Sequence, residues 1–129
     1  MSQNSPFYAA WQSAIEEAFL RRAELSATEI ESTLRPLVEQ VLAEIERGHL
    51  RIAQQQENGE WHVNEWLKKA VLLSFRVNDS ELMDATPAPF WDKVPMRFAD
   101  FDDVAFRELG ARVVPGAVVR RGAHIGRDV

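Results

Sequence analysis

The chain of 129 residues contains no cysteine. Disulfide bonds, thiolate metal sites and a cysteine nucleophile are therefore excluded. No apolar run approaches the roughly 18 residues that a membrane-spanning helix needs. The N-terminus carries no basic segment followed by an apolar stretch, so no signal peptide is predicted. We accordingly expect a cytoplasmic location and no membrane partner.

Cationic residues are in the minority, with 15 Lys and Arg against 20 Asp and Glu and a net charge of −5. A nucleic-acid partner is not expected, because there is no excess of cations to neutralise phosphates. The pairs Lys68-Lys69 and Arg120-Arg121 are too short to form a basic patch. What is present is an ordinary globular composition, 46% hydrophobic and 27% charged, which suffices for one domain with a modest core.

Three stretches carry apolar residues at helical spacing and predict three main helices. The first has Ser5 as its N-cap and Pro6 at its first position, a common helix start. The second opens with a capping-box pattern, Ser26 to Glu29, and continues to about residue 47. Pro36 lies inside it, and the sequence leaves open whether this proline kinks one helix or separates two.

The third predicted helix runs from Glu65 to about Arg76, with Asn64 as its cap. Its apolar residues form two adjacent rows, which are Trp66, Ala70 and Leu73, and Leu67, Val71 and Phe75. Such a wide apolar face indicates burial on most sides. We therefore expect this helix to be the centre of the helical part.

A β-hairpin is predicted near residues 50–63. Leu50 and Ile52 alternate with polar neighbours, and so do Trp61 and Val63, which is the period of a half-buried strand. Between them, Asn58-Gly59 is a signal for a two-residue turn.

The segment from Val77 to Ala99 keeps no period and contains three prolines, which predicts an ordered but irregular connection. Its apolar part, Phe90 to Phe98, is expected to pack on the third helix or on a neighbouring subunit. Asp100, Asp102 and Asp103 come next. Aspartates at a helix start usually cap it, and nothing nearby supplies the converging oxygens of a hard-cation site, so no metal site is predicted.

The last part of the chain has a different period. Val113, Val119 and Ile125 are six residues apart, and Gly116 and Gly122 mark corners between them. This spacing fits neither a helix nor an alternating strand, but it fits a parallel β-helix of hexapeptide repeats. Three hexads make about one coil, and a solenoid needs roughly three stacked repeats to bury a core. We therefore expect the chain to be the front end of a longer protein.

The predicted fold class is α+β. A mainly helical N-terminal domain with one β-hairpin occupies residues 1–110. The first hexapeptide-repeat coil of a parallel β-helix, truncated at its end, occupies residues 111–129.

Three long stretches, in this order, resemble one family. They are WLKKAVLLSFR (Trp66 to Arg76), FWDKVPMRFADFD (Phe90 to Asp102) and RVVPGAVVRRGAHI (Arg112 to Ile125). The chain resembles the N-terminal part of tetrahydrodipicolinate N-succinyltransferases, enzymes of bacterial lysine and diaminopimelate synthesis. The resemblance covers essentially the whole chain but less than half of a typical family member.

The resemblance implies a left-handed β-helix, a homotrimer, and succinyl transfer from succinyl-CoA to the amine of an acyclic dicarboxylic substrate, tetrahydrodipicolinate in its L-2-amino-6-oxopimelate form. Succinyl-CoA would be a co-substrate, and no tightly bound cofactor is expected. Arg112 matches a substrate-binding position of the family, and its planar fork suits a carboxylate. The acidic catalytic residues and the CoA groove would lie beyond Val129. No catalytic or cofactor-binding residue is therefore predicted within this chain, which alone would be inactive.

Two other interpretations remain open at this point. The chain could be a non-catalytic helical oligomerisation or interaction module, with the apolar Phe90-to-Phe98 segment as its contact surface. It could also belong to another hexapeptide-repeat acyltransferase with a different acceptor, which the hexads alone do not exclude.

The enzyme interpretation predicts that the native protein in its source cells has an intact mass at least roughly twice the 14.7 kDa of this chain, because one coil cannot form a solenoid core. Intact-mass spectrometry measures this directly. A native mass equal to that of the chain would instead favour the interaction module.

Overall fold

The structure is a computed structural model, which describes residues 6–83 and 88–129. The helices are α1 (Pro6–Leu20), α2 (Ala27–Glu29), α3 (Arg35–Glu46), α4 (Glu65–Val77) and α5 (Asp103–Leu109), and a π-helical turn, Ile30–Leu34, joins α2 to α3. The strands are β1 (Ala53–Gln55), β2 (Trp61–Val63), β3 (Glu81–Met83) and β4 (Phe90–Asp92). The predicted α+β class with a mainly helical N-terminal part is confirmed.

The helix starts follow their local signals. Pro6 is the first residue of α1, while Ser5, the predicted N-cap, lies outside the described residues. The Ser26 hydroxyl accepts a hydrogen bond from the Glu29 amide at 3.1 Å. The predicted N-cap at Ser26 is therefore confirmed.

The question left open at Pro36 is resolved by the π-helical turn. The Arg35 amide donates to the Ile30 carbonyl, five residues back, and both residues keep right-handed helical backbone angles. Pro36 then occupies the first turn of α3, where its missing N–H costs least. One continuous helical path therefore runs from α2 to α3, with a local widening that accommodates the proline.

Helix α4 is the centre of the core, as predicted. It packs against α1, α3 and the π-helical turn, and Leu67, Ala70 and Leu73 have no exposed surface. The prediction of a second buried row is wrong at Phe75, which is 39% exposed. The neighbouring helices leave that side of α4 partly open. The predicted cap Asn64 makes no side-chain capping bond, because its amide donates to the Arg51 carbonyl at 2.6 Å.

The first hairpin forms with a different turn from the one predicted. Strands β1 and β2 pair antiparallel with Ala53 opposite Val63. The Gln56 amide donates to the Glu60 carbonyl at 2.8 Å, so three residues, and not Asn58-Gly59 alone, form the loop. Gly59 adopts a φ of 84°, which is typical of a three-residue loop ending in a bulge.

The structure contains a second hairpin, formed after α4. The prediction of a single hairpin is therefore wrong, and so is the prediction that this segment is irregular throughout. Strands β3 and β4 pair antiparallel, with Leu82 opposite Trp91. Each strand has three residues, which is too short to produce a recognisable alternating pattern. Phe90 and Trp91 are 58% and 70% exposed, so these two residues do not pack on α4. The predicted alternative, packing on a neighbouring subunit, stays a prediction for them. Val94 lines a small cavity with Phe75 of α4.

One carboxylate ties α1 to the end of α3. The Tyr8 hydroxyl donates to Glu44 Oε2 at 2.7 Å, His49 Nδ1 lies 2.9 Å from the same oxygen, and Arg47 donates to the other oxygen at 2.7 Å. The Tyr8 hydrogen bond is the main cause that lowers the pKa of Glu44 to about 2. Burial is the main cause that raises the pKa of Tyr8 to about 12.

This arrangement predicts a pH-dependent effect of Tyr8→Phe. At pH 7 the variant should lose about 1–3 kcal/mol of unfolding free energy, because a buried hydrogen bond to a charged group is removed. A carboxyl whose pKa is depressed by folding stabilises the protein above its usual pKa, and this contribution is lost as pH falls towards the folded-state value. The deficit should therefore shrink between pH 4.5 and about 2. Urea denaturation across this range tests it, and a deficit that stays constant would assign the loss to packing.

Candidate functional site

Helix α5 leads the chain into the predicted site. Asp102 caps it, since its carboxylate accepts from the Ala105 amide at 2.9 Å, and Asp103 pairs with Arg107 at 2.7 Å. The predicted capping role is thus confirmed for Asp102. Among residues 6–83 and 88–129, no group of three or more His, Asp or Glu side chains could hold a metal ion.

An aromatic cluster fixes α5 against the preceding segment. The rings of Phe98, Phe101 and Phe106 contact one another with centroid separations of 4.8, 5.5 and 5.2 Å. The Arg97 guanidinium lies over two of these rings, 5.3 Å from the centre of Phe98 and 5.4 Å from that of Phe101. Cation–π contact of this kind adds to the aromatic packing.

The predicted coil, residues 111–129, turns at regular intervals. Turns fall at residues 115–116, 121–122 and 127–128, and so repeat every hexad. The amide of Asp128 donates to the carbonyl of Gly110, three hexads earlier, at 2.7 Å, and the amide of Arg112 donates to the carbonyl of Val129 at 2.8 Å. The path therefore closes on itself after three hexads, although no regular strand forms within it.

Arg112 opens this coil with an exposed side chain. It borders an open recess of about 470 Å³ with Gly110, Val114, Asp128 and Val129. Among the described residues its guanidinium makes no hydrogen bond and no ion pair. Such a group can bind an incoming carboxylate through two parallel hydrogen bonds. No histidine lines the recess, and Asp128 supplies its only carboxylate side chain among the described residues.

A partly buried ion cluster attaches the coil to α3. Glu46 Oε1 accepts from Arg121 Nε at 3.2 Å and from the Gly122 amide at 2.8 Å, and Arg97 Nε lies 3.9 Å from Glu46 Oε2. Arg121 also pairs with Glu39. We call Glu39, Glu46, Arg97 and Arg121 the Glu46 cluster. The side chains of Glu46 and Arg97 are 11% and 13% exposed.

Backbone contacts reinforce the same junction. The Arg97 amide donates to the Val119 carbonyl at 2.8 Å, and the Arg121 amide donates to the Pro95 carbonyl at 3.0 Å. Next to them, His124 Nδ1 lies 2.7 Å from the Glu46 carbonyl. The residues before α5 and the corner of the coil are thus held together through main chain as well as side chains.

Sequence reasoning predicted a site at Arg112, which stays a prediction, and missed the Glu46 cluster. Glu46 matched the polar face of a helix, and Arg121 was only part of a basic pair. The two residues are 75 positions apart in the chain, and no local pattern connects them. The capping role of Asp102, by contrast, was predicted correctly from its position alone.

Comparison with known proteins identifies the family. A family model described as the N-terminal part of tetrahydrodipicolinate N-succinyltransferase matches residues 10–77, more than half of the chain. The chain belongs to this family. The predicted resemblance to tetrahydrodipicolinate N-succinyltransferases is therefore confirmed.

Relatives in several bacteria agree. Over 117 residues the chain is 56% identical to the 2,3,4,5-tetrahydropyridine-2,6-dicarboxylate N-succinyltransferase of Xylella fastidiosa strain Temecula1, covering 91% of this chain and 42% of that protein. The enzymes of the same name from Idiomarina loihiensis and from Histophilus somni strain 2336 are 52% and 49% identical, over 89% and 92% of this chain and 42% and 43% of theirs. The chain thus spans less than half the length of these curated relatives. Within the described ranges, no helix is long and apolar enough to cross a membrane.

The contact between α3 and the coil predicts different costs for two glycine substitutions. Gly48 and Gly116 both have positive φ, 76° and 87°, but a Cβ on Gly48 would lie 2.9 Å from the His124 ring, whereas one on Gly116 would meet nothing within 4 Å. Gly116→Ala should cost about 1–2 kcal/mol for its backbone conformation alone. Gly48→Ala should cost about 1–3 kcal/mol more because of the clash.

Chemical denaturation of both variants measures the difference. A Gly48→Ala/His124→Ala double variant, compared with His124→Ala alone, should show only the backbone cost. Equal losses for Gly48→Ala and Gly116→Ala would mean that His124 does not rest on the end of α3.

Proposed function

We propose that this chain is the N-terminal part of an enzyme that transfers a succinyl group from succinyl-CoA to the amine of tetrahydrodipicolinate, in its acyclic L-2-amino-6-oxopimelate form. The reaction serves lysine and diaminopimelate biosynthesis in the cytoplasm. Family membership and the relatives' names, which specify N-succinyl transfer to a tetrahydropyridine-dicarboxylate, support the proposal. This chain, which spans 42% of such a relative, is proposed to be inactive alone.

The reaction needs few catalytic groups. The amine nitrogen attacks the thioester carbonyl, a new C–N bond forms, the C–S bond breaks, and CoA leaves as the thiol after the amine loses a proton. A general base and donors to the oxyanion are required, and we place them outside residues 1–129. Succinyl-CoA acts as a co-substrate, and no tightly bound cofactor is involved.

The observation that carries the proposal for this chain is the exposed guanidinium of Arg112, which has no ion-pair partner within residues 6–83 and 88–129. The acceptor has two carboxylates, and a planar guanidinium binds a carboxylate in a bidentate fashion. Arg112 is exposed and makes no ion pair among the described residues. An exposed guanidinium of this kind can take up a substrate carboxylate.

We also propose that residues 111–129 begin a left-handed parallel β-helix within a homotrimer. The hexad-spaced turns and the hydrogen bond that closes the path after three hexads support the β-helix. The exposed pair Leu82 and Trp91, at 66% and 70% exposure, supports a subunit contact, because apolar side chains on one hairpin face favour burial.

Arg112→Ala, made in the complete enzyme, is expected to raise the KM for the amine acceptor by about 10- to 100-fold, which corresponds to the loss of charge-assisted hydrogen bonds. The KM for succinyl-CoA should stay within about twofold of its original value, because the thioester substrate does not use this guanidinium. Initial rates of thiol release, with each substrate varied in turn, measure both constants.

Arg107→Ala is the matched control. It removes an exposed arginine of α5 whose partner is Asp103, and it should change neither KM. Arg112→Lys should recover only part of the affinity, since a point charge cannot replace the fork. Equal increases in both KM values for Arg112→Ala would indicate a structural role.

A further inference from the structure

The Glu46 cluster has the geometry of a positioning device. Glu46 accepts from Arg121 and from the Gly122 amide with one carboxylate oxygen, at 3.2 and 2.8 Å. Its other oxygen lies 3.9 Å from Arg97 Nε. With 11% exposure, this carboxylate interacts with both guanidinium groups under weak solvent screening.

Both ends of the segment that carries Arg112 are linked to the Glu46 carboxylate through Arg97 and Arg121. Upstream, α5 packs through Phe106 on Phe98 and Phe101, and Arg97 covers the rings of these two residues. Downstream, Arg97 Nε donates to the Ala123 carbonyl at 3.2 Å, and Arg121 is bound by Glu46 directly. The backbone between α5 and the Arg121 corner is therefore fixed at both ends by groups that meet at Glu46.

We propose that Glu46 is a positioning residue for the acceptor site, which sets the position of Arg112 by binding Arg97 and Arg121 together. This inference rests on the proposed function, since it assigns Arg112 to acceptor binding. Glu46 itself does not touch the substrate. A shift of about 1 Å in a positioned group can cost as much as a hundredfold in rate, so loss of the cluster is expected to affect the acceptor selectively.

Glu46→Gln is the most informative substitution. The amide keeps the size of the carboxylate but removes the charge, and one of its two polar atoms becomes a donor that faces guanidinium donors. Two largely buried guanidinium groups then lack part of their counter-charge, so the cluster must rearrange. Glu46→Asp keeps the charge and shortens the side chain by one methylene.

The test uses the complete enzyme and measures both KM values by thiol release, together with the melting temperature. For Glu46→Gln we expect the acceptor KM to rise about tenfold, while the succinyl-CoA KM changes by less than about twofold. Glu46→Asp should recover at least half of the loss on a logarithmic scale. Tyr8→Phe, which destabilises the other side of α3, is the control and should leave both KM values unchanged.

Several results would overturn the inference while leaving the proposed function intact. These are an unchanged acceptor KM in Glu46→Gln, equal increases for both substrates, or a Tyr8→Phe variant that shows the same change at the same loss of melting temperature. If the parent enzyme transfers no succinyl group, the proposed function fails with it.

A second variant keeps the test decisive if Glu46→Gln does not fold. Arg121→Lys retains the charge but cannot bridge Glu39 and Glu46 as the guanidinium does. It should raise the acceptor KM in the same selective way, by a smaller factor. An Arg121→Lys enzyme with unchanged acceptor KM would contradict the inference.

Discussion

The two carboxylates in the last turn of α3 connect the parts of this structure. Glu44 and Glu46 are two residues apart, so their side chains point about 200° apart around the helix axis. Glu44 faces Tyr8 of α1, and Glu46 faces the corner of the coil at Arg121. A carboxylate near a helix C-terminus is disfavoured by the helix dipole. Each therefore depends on cationic or hydrogen-bonding partners from elsewhere in the chain, and this dependence joins α1, α3 and the coil.

The features that sequence reasoning found are those whose cause is local. The N-cap at Ser26, the wide apolar face of α4 and the cap at Asp102 each involve residues within a few positions of one another. The β3–β4 hairpin was missed because three-residue strands give almost no periodic signal. The turn at Gly59 was assigned one residue too few, because Asn-Gly suits both two-residue and longer loops. Pro36 was ambiguous because a π-helical turn can accommodate a proline without breaking the helix.

The candidate site shows the same contrast between what a sequence pattern predicts and what only the folded structure shows. No periodicity or spacing singled out Arg112, and it was proposed only through the family resemblance. The structure adds that its side chain is exposed. No sequence pattern predicted the Glu46 cluster, since its members come from α3, from the segment before α5 and from the coil. Three separate stretches must fold together before their charges meet, and a single sequence does not record such long-range pairs.

There is a physical reason why polar contacts, and not apolar packing, position the coil on α3. The residues predicted to point into the coil are incompletely buried, and Val113 is 36% exposed while its neighbour Val114 is 56% exposed. A single solenoid repeat cannot bury its apolar face alone, because the neighbouring repeat covers that face. Apolar packing is also non-directional, whereas hydrogen bonds to a carboxylate fix distance and angle. The bonds from Arg121 and Gly122 to Glu46 are directed contacts of this kind, and they fix the corner of the coil against the end of α3.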